Sequence, residues 1–264
     1  MMIAQEEYKT VRWWRLLSTL AVFNLVLWTL TAFSVPTDAP YVRWHILLSG
    51  IYTAVCAFRS FIPRIDLERY CMVDSPVSSM VAGRSAATVA EISFAIQIGL
   101  PMHEMGGAAG IAWVQALTIP VIVMLTVAQV LCWFGLITLN HVGHAIEESL
   151  WAITFTAVGL AMAVCAPNLA GTWQTVAYGG TALCIGYVLF MVTVDVPMYV
   201  KRWRQGIAQG EPKLGFAEGF QDALSRRIVT RDWAIWKPEV AWLTGYFSCA
   251  VWVSIALAHL PRFV

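Results

Sequence analysis

Long apolar runs separated by short polar segments constrain this chain more than any other feature. A helix needs about 20 mainly apolar residues to cross the hydrocarbon core of a bilayer. Of the 264 residues, 59% are hydrophobic and only 12% are charged, against about 25% charged residues in an ordinary soluble domain. The sequence therefore predicts an all-α, polytopic integral membrane protein with one transmembrane helical domain over residues 1–264. About seven transmembrane helices are predicted, at residues 13–35, 42–62, 78–100, 112–139, 141–166, 172–198 and 240–260.

The distribution of lysine and arginine predicts the orientation of these spans. Short loops rich in Lys and Arg remain on the cytoplasmic side of a membrane. With seven spans, fifteen of the seventeen Lys and Arg residues fall on the side of the N-terminus, which leaves Arg43 and Arg262 for the other side. We therefore expect the N-terminus in the cytoplasm and the C-terminus outside, and this charge bias favours a bacterial inner membrane.

The largest extramembrane segment is predicted at residues 199–239, on the cytoplasmic side. Within it, Phe216, Phe220, Leu224 and Ile228 recur every four residues. This spacing is typical of an amphipathic helix that lies on a membrane surface. A helix that packs under the transmembrane bundle would show the same pattern, so both interpretations stay open.

Composition and motifs exclude several classes of protein. The net charge is +1, and no basic stripe interleaved with aromatic residues points to nucleic acid. The six cysteines are scattered without a CxxC pair, so they are interpreted as small buried apolar residues. The last apolar run contains no lysine for a retinal Schiff base, and no Walker, GxGxxG, GxSxG or HExxH motif is present. The sequence therefore predicts no nucleic-acid partner and no common soluble-enzyme site.

The segment 140–148 places two imidazoles and two carboxylates between apolar runs that are almost free of charge. On a helix, His141, His144 and Glu148 stand at positions i, i+3 and i+7 and share one face, whereas Glu147 lies about 100° from Glu148. If Asn140 caps the fifth span, Glu148 lies about 10 Å inside that span. Ionisable groups at such positions usually mark function.

Two further carboxylates are expected at the same depth. Glu91 follows Arg84 by seven residues in the third span, and Asp195 precedes Lys201 by six residues at the end of the sixth, which gives about 10 Å and about 9 Å respectively. Carboxylates from three helices, Glu148 included, are thus predicted to meet on one cytoplasm-facing level. They cannot all stay ionised there unless a metal, shared protons or Arg84 compensates them.

The preferred hypothesis is a metal-dependent oxidoreductase that acts on a lipid or another apolar small molecule. Imidazole and carboxylate together suit iron, zinc or manganese, and Arg84 would bind a headgroup or carboxylate of the substrate. The alternative is a proton- or cation-coupled transporter or channel, or a non-catalytic membrane subunit, that uses the same carboxylates; association into an oligomer is compatible with either. The predicted metal ligands are Glu91, His141, His144, Glu147, Glu148 and Asp195.

A purely structural interpretation of these residues is also open. Asn140 is a good helix cap, and glutamates in the first turns of a helix favour its dipole. His141 and His144 would then lie at the level of the lipid headgroups, and Glu91 would form an ion pair with Arg84.

A second cluster is predicted on the outer face, where His45, His103 and His259 lie near the ends of three spans. Histidine together with methionine can hold copper, and facing histidines can ligate haem. Histidines at a membrane interface are also common without a ligand, so this cluster is the weaker candidate.

Overall fold

The computed structural model describes residues 2–260, with side chains from Glu6 onward. It is 82% helical and all-α, as the apolar runs predict. Six of its helices are long and apolar enough to cross a membrane, by length and composition, so the chain has the character of a multi-pass integral membrane protein. They are Glu6–Ser34, Met80–Ala108, Ala112–Thr138, His141–Asn168, Gly171–Ala208 and Trp233–Leu257.

The predicted second span is a helix, but it is not among these six. It runs over the 22 residues Pro40–Phe61 and carries Arg43, His45 and Arg59. These polar side chains lower its hydropathy, although its length of about 33 Å would reach across the hydrocarbon core. The count of about seven spans and the orientation are therefore not confirmed.

The described elements follow one another with short connections. The helices are α1 Met2–Ser34, α2 Pro40–Phe61, α3 Met80–Ala108, α4 Ala112–Ala116, α5 Thr118–Thr138, α6 His141–Cys165, α7 Gly171–Phe190, α8 Val196–Ala208, α9 Phe216–Ser225, α10 Trp233–Trp236, α11 Val240–Gly245 and α12 Val251–Leu257. The strands are β1 Arg64–Ile65, β2 Tyr70–Cys71 and β3 Ile228–Val229. Three-residue 3-10 turns lie at Pro76–Ser78, Ala166–Asn168 and Lys237–Glu239, and π-helical turns lie at Met191–Asp195 and Tyr246–Ala250.

Local sequence explains where the helices around the candidate site begin and end. Pro120 has no N–H for the carbonyl of Ala116, and its ring crowds that carbonyl, so the long apolar run divides into α4 and α5. Helix α5 ends where Leu139 adopts the left-handed conformation, with φ of 53°. Asn140 then caps α6, and its side chain accepts a hydrogen bond from the backbone N–H of Val142. This cap is the one that the sequence predicts.

The chain forms two compact units, of which unit 1 comprises the described residues 2–97 and 221–260. In it α1 packs along α2 and contacts α12. Asn24 of α1 is buried and joins two segments: its side-chain amide donates to the carbonyl of Phe247 at 2.8 Å, and its oxygen accepts from the indole of Trp252 at 2.9 Å. The helix-to-helix contacts of unit 1 thus include specific buried hydrogen bonds as well as apolar packing.

A small sheet lies beside the helices of unit 1. Strand β2 pairs with β1 in an antiparallel manner and with β3 in a parallel manner. Arg69 in the turn between β1 and β2 has a positive φ of 62°, and its guanidinium donates to the carbonyl of Asp66 and to the carboxylate of Asp222. The sheet therefore fixes the polar segment that follows α2.

Unit 2 comprises residues 98–220. Helix α6 is its centre, because α5, α7 and α8 all pack against it. A single long helical path continues from α7 through the π-helical turn into α8. The exposed apolar side chains on α5, α6 and α7 face outward from this unit, as expected for helices that contact lipid.

Candidate metal centre

Two glycines allow α5 and α6 to approach each other closely at their hairpin. A Cβ atom added to Gly143 would lie 2.6 Å from the Cα atom of Gly135 and 2.7 Å from the carbonyl oxygen of Leu131. Small residues at a helix crossing are the usual way in which transmembrane helices come into contact. The close crossing brings Cys132 of α5 next to His144 of α6.

Cys132, His144 and Glu147 form a buried cluster, which we call the CHE cluster. The Nδ1 atom of His144 lies 2.9 Å from Oε2 of Glu147 and 3.8 Å from Sγ of Cys132. One donor atom from each residue lies within 4.8 Å of the other two. The three residues are only 1%, 8% and 3% exposed, respectively. Thiol, imidazole and carboxylate thus meet in a site with little access to bulk water.

Asp195 adds a second carboxylate to this region of unit 2. It ends the π-helical turn and is 6% exposed. It interacts electrostatically with Glu147 and His144. Its Oδ2 atom is buried and has no hydrogen-bond partner among the residues that the structure describes. Because an unpaired buried carboxylate oxygen is costly, this atom marks a position for a proton or a cation.

The π-helical turn has an identifiable local cause. Pro197 follows it by two residues and cannot donate to the carbonyl of Thr193 in a regular helix. A π-helical turn is a common way to absorb such a break, and it occurs frequently at functional sites. Asp195, the last residue of this turn, is the one that interacts electrostatically with Glu147 and His144.

Aromatic and basic side chains of α8 flank the cluster. The ring of Tyr199 stacks on the ring of His144, with centroids 5.1 Å apart. The same tyrosine is 6.3 Å from the ring of His141, and the guanidinium of Arg202 lies 5.9 Å from its ring centroid. Tyr199 therefore fixes the plane of the His144 imidazole from one side.

The predicted ligands on α6 differ in their surroundings. Glu147 contacts His144 directly, whereas Glu148 is half-buried and lies outside the CHE cluster. His141 lies near Tyr199, and its Nδ1 atom is buried without a hydrogen-bond partner in the described part of the chain. Of the six predicted ligands, the structure thus brings His144 and Glu147 into direct contact; Asp195 interacts with both electrostatically, and His141 shares the neighbour Tyr199 with His144.

Glu91 and Arg84 lie in unit 1 and form a buried ion pair. The Nη2 atom of Arg84 is 3.1 Å from Oε2 of Glu91, and both side chains are more than 90% buried. The hydroxyl of Tyr246 donates to the other carboxylate oxygen of Glu91 at 3.3 Å. Tyr246 begins the second π-helical turn. The backbones of Arg84 and Glu91 lie about 10 Å apart along the helix axis. The long arginine side chain spans this distance and reaches the carboxylate.

The three histidines that the sequence predicts on the outer face each have their own surroundings. His45 of unit 1 is fully buried, lies edge-on to Tyr41 at 4.5 Å between ring centroids, and has no hydrogen-bond partner on either ring nitrogen among residues 2–260. His259 of the same unit contacts the hydroxyl of Thr31 at 3.1 Å. In unit 2, the exposed His103 contacts Gln115 at 3.1 Å. A copper or haem role for these three stays a prediction.

Cys132 is the residue that sequence reasoning missed, because it was interpreted as a small apolar residue. A signal for it exists. Gly135 and Gly143 stand four residues before and after Leu139, and such a symmetrical pair favours a close helical hairpin. A hairpin of this kind places side chains of α5 next to the histidines of α6.

The comparisons with known proteins add no relative. A scan against protein-family models, a search of curated proteins and a search of solved structures each found no match for this chain.

Proposed function

We propose that the protein is a membrane metalloprotein that binds a divalent transition metal through Cys132, His144 and Glu147, with Asp195 as the fourth ligand. The observation that carries the proposal is the CHE cluster, whose donor atoms lie within 4.8 Å of one another. Asp195 lies outside that 4.8 Å group but interacts electrostatically with Glu147 and His144, and one of its carboxylate oxygens is buried without a partner in the described part of the chain. A metal would compensate the buried carboxylates of Glu147 and Asp195, which interact electrostatically with each other.

The spacing of the donor atoms fits a four-coordinate ion. Zinc binds sulfur at about 2.3 Å and nitrogen or oxygen at about 2.0–2.2 Å in a tetrahedral arrangement, which separates neighbouring donor atoms by about 3.3–3.7 Å. The separations of 2.9 Å and 3.8 Å in the CHE cluster bracket this range. The third separation is within 4.8 Å, so side-chain adjustments would be needed to bring the three donor atoms, and Asp195 with them, around one ion.

The chemistry of the donors favours zinc first and iron second. A thiolate is a soft ligand that suits zinc or iron, whereas manganese prefers oxygen ligands. With iron, the centre would serve an oxidoreductase acting on a lipid or another apolar molecule, which is the function expected from the sequence. With zinc, Cys132, His144 and Glu147 would hold the ion, and the ion would supply Lewis-acid polarisation of a substrate oxygen at a position that protein ligands leave open. A membrane metalloenzyme is thus the function that this site supports best.

Metal analysis of purified protein tests this proposal. We expect about one equivalent of zinc or iron per chain, lost on Cys132→Ser, His144→Ala and Asp195→Asn. Cys184→Ser is the matched control, because Cys184 is a buried thiol of unit 2 on α7 that packs against Gly159. Wild-type protein without metal, or variants that keep wild-type occupancy, would contradict the proposal.

A second candidate, a proton- or cation-coupled transporter, is favoured by one observation. The hydrogen bond between His144 and Glu147 and the electrostatic contact of both with Asp195 connect three groups that can exchange a proton. Proton uptake by liposomes that contain metal-free protein tests it. Uptake by the wild type that is abolished in Glu147→Gln would favour transport over catalysis. Metal-free, transport-silent protein that copurifies with a partner would indicate a non-catalytic subunit.

The site would face the cytoplasm under the predicted orientation. That orientation, and the bacterial inner membrane, are supported by the segregation of fifteen of seventeen Lys and Arg residues to one side of the predicted spans. Cysteine-accessibility labelling of single-cysteine variants in intact cells tests both ends of the chain. Labelling of the N-terminus from outside the cell would contradict the orientation.

A further inference from the structure

Three charged side chains of unit 1 cluster where α2 ends, and we call them the Arg59–Arg64–Asp66 triad. The Nε atom of Arg64 donates to Oδ1 of Asp66, and Nη2 of Arg59 lies 3.5 Å from Oδ2 of the same carboxylate. The side chains of Arg59, Arg64 and Asp66 are 11%, 3% and 14% exposed. One carboxylate is therefore shared by two largely buried guanidinium groups.

The triad carries a net positive charge at neutral pH. Both guanidinium groups stay protonated in proteins. Burial by itself raises the pKa of Asp66, but Arg64, Arg59 and Arg84 outweigh this effect and lower that pKa to about 2. Asp66 is thus ionised, and two positive charges minus one negative charge leave one positive charge. A buried charge without full compensation is costly.

The hydrogen bonds of the triad show where the compensation is missing. Arg64 also donates from Nη1 to the backbone carbonyl of Ser79, so its fork is occupied on two sides. The Nε atom of Arg59 is buried and has no acceptor among residues 2–260. The guanidinium of Arg59 lies 5.8 Å from the ring centroid of Phe247, a contact that uses the face of the cation and not its N–H groups. The unfilled requirement is an acceptor with negative charge beside Arg59.

We propose that Arg59, positioned by Asp66 and Arg64, binds a phosphate group. A planar guanidinium matches phosphate oxygens with two parallel hydrogen bonds, and the side chain of Arg59 is 11% exposed, so it is not sealed from the surface. Arg59 lies in the last turn of α2, a predicted span, so a lipid headgroup reaches it as readily as a soluble phosphate. This site belongs to unit 1 and does not depend on the proposed metal centre.

Calorimetric titration of the purified chain in neutral detergent tests the proposal with two probes, inorganic phosphate and the short-chain lipid dihexanoyl phosphatidylglycerol. Binding of the lipid alone identifies a headgroup site, whereas binding of inorganic phosphate identifies a site for soluble phosphate. In either case Arg59→Gln should weaken binding at least tenfold. Arg231→Gln is the control, because Arg231 pairs with Glu7 at 3.1 Å on the exposed surface of the same unit, and it should leave the affinity unchanged.

Three outcomes would overturn the inference. They are a wild type that binds neither probe, an Arg59→Gln variant that binds as well as the wild type, and an equal loss in Arg231→Gln, which would show a general charge effect. Should Arg59→Gln fail to fold, Arg59→Lys replaces it. Lysine keeps the charge but lacks the fixed fork of donors, so affinity should again fall at least tenfold, and an unchanged affinity would overturn the proposal.

Discussion

Gly143 and Gly135 meet backbone to backbone, so that a Cβ atom on Gly143 would lie 2.6 Å from the Cα atom of Gly135. This contact holds α5 and α6 at the distance at which Cys132 and His144 can share a ligand. The metal-centre proposal therefore depends on two residues that have no side chain.

Gly143→Ala should destabilise unit 2 by about 1 to 3 kcal/mol, the usual cost of overpacking a tight contact, and should lower metal occupancy in parallel. Thermal unfolding in detergent and metal analysis measure the two effects. Gly186→Ala is the control, since nothing lies within 4 Å of a Cβ atom there; it should be neutral or slightly stabilising. Equal stability of both variants would show that the crossing tolerates a larger separation.

Added metal should stabilise the folded protein if the CHE cluster binds it. A ligand present at 100 times its Kd stabilises the folded state by about 2.7 kcal/mol, which is measurable as a rise in the unfolding temperature. Asp195→Asn should reduce this rise, whereas His103→Ala, which removes an exposed histidine of the same unit, should not. A rise that is the same in wild type and Asp195→Asn would remove Asp195 from the ligand set.

Glu91→Gln should destabilise unit 1 by about 3 kcal/mol, because the loss of one partner leaves a buried charge poorly compensated. Arg84→Met combined with Glu91→Gln should recover part of that loss, since the charge itself is then removed. Urea unfolding of the two single variants and the double variant gives the coupling free energy. Additive losses would mean that the 3.1 Å contact contributes little to stability.

The stability of the folded protein should fall in acid through Asp66. Its pKa is lowered to about 2 in the folded state, below the value of about 3.9 for an unfolded aspartate. The stabilisation is therefore fully present above about pH 4 and is lost as the pH falls towards 2. Asp66→Asn should be less stable at pH 5 and should lose less stability between pH 5 and pH 2. Unfolding temperatures that fall equally in wild type and variant over this range would contradict the assignment.

The sequence predicts the helices well because apolar length and composition are local properties. The start of α6 at His141 and its cap at Asn140 follow directly from residue types. The π-helical turn at Met191–Asp195 could not be predicted. Such a turn adds one residue to a helical turn without changing the apolar pattern, and Pro197 is the one residue in the sequence that indicates it. Residues 42–62 were predicted as a span from their apolar run, but α2 is not among the six helices long and apolar enough to cross a membrane, and Arg43 and Arg59 are two of the polar residues that lower its hydropathy.

Contacts between helices were the part of the site that the sequence could not determine. Within α6, helical spacing predicted that Glu148 shares a face with His144. In the structure, the side chain of His144 instead contacts the carboxylate of Glu147. Cys132 entered the site only through the crossing of two helices. The ion pair of Glu91 with Arg84 was one of the alternatives, and the length of the arginine side chain makes it possible. That Glu91, Glu148 and Asp195 meet at one level stays a prediction.

The helical path Gly171–Ala208 is 38 residues long, or about 57 Å, nearly twice the roughly 30 Å hydrocarbon thickness of a bilayer. A rod of that length must tilt strongly or protrude into water. Asp195 lies on it thirteen residues before its last residue, at the end of the π-helical turn. This buried carboxylate therefore lies about 20 Å from the C-terminal end of the helical path, so the residues beyond it are long enough to reach from the level of Asp195 well past the membrane surface.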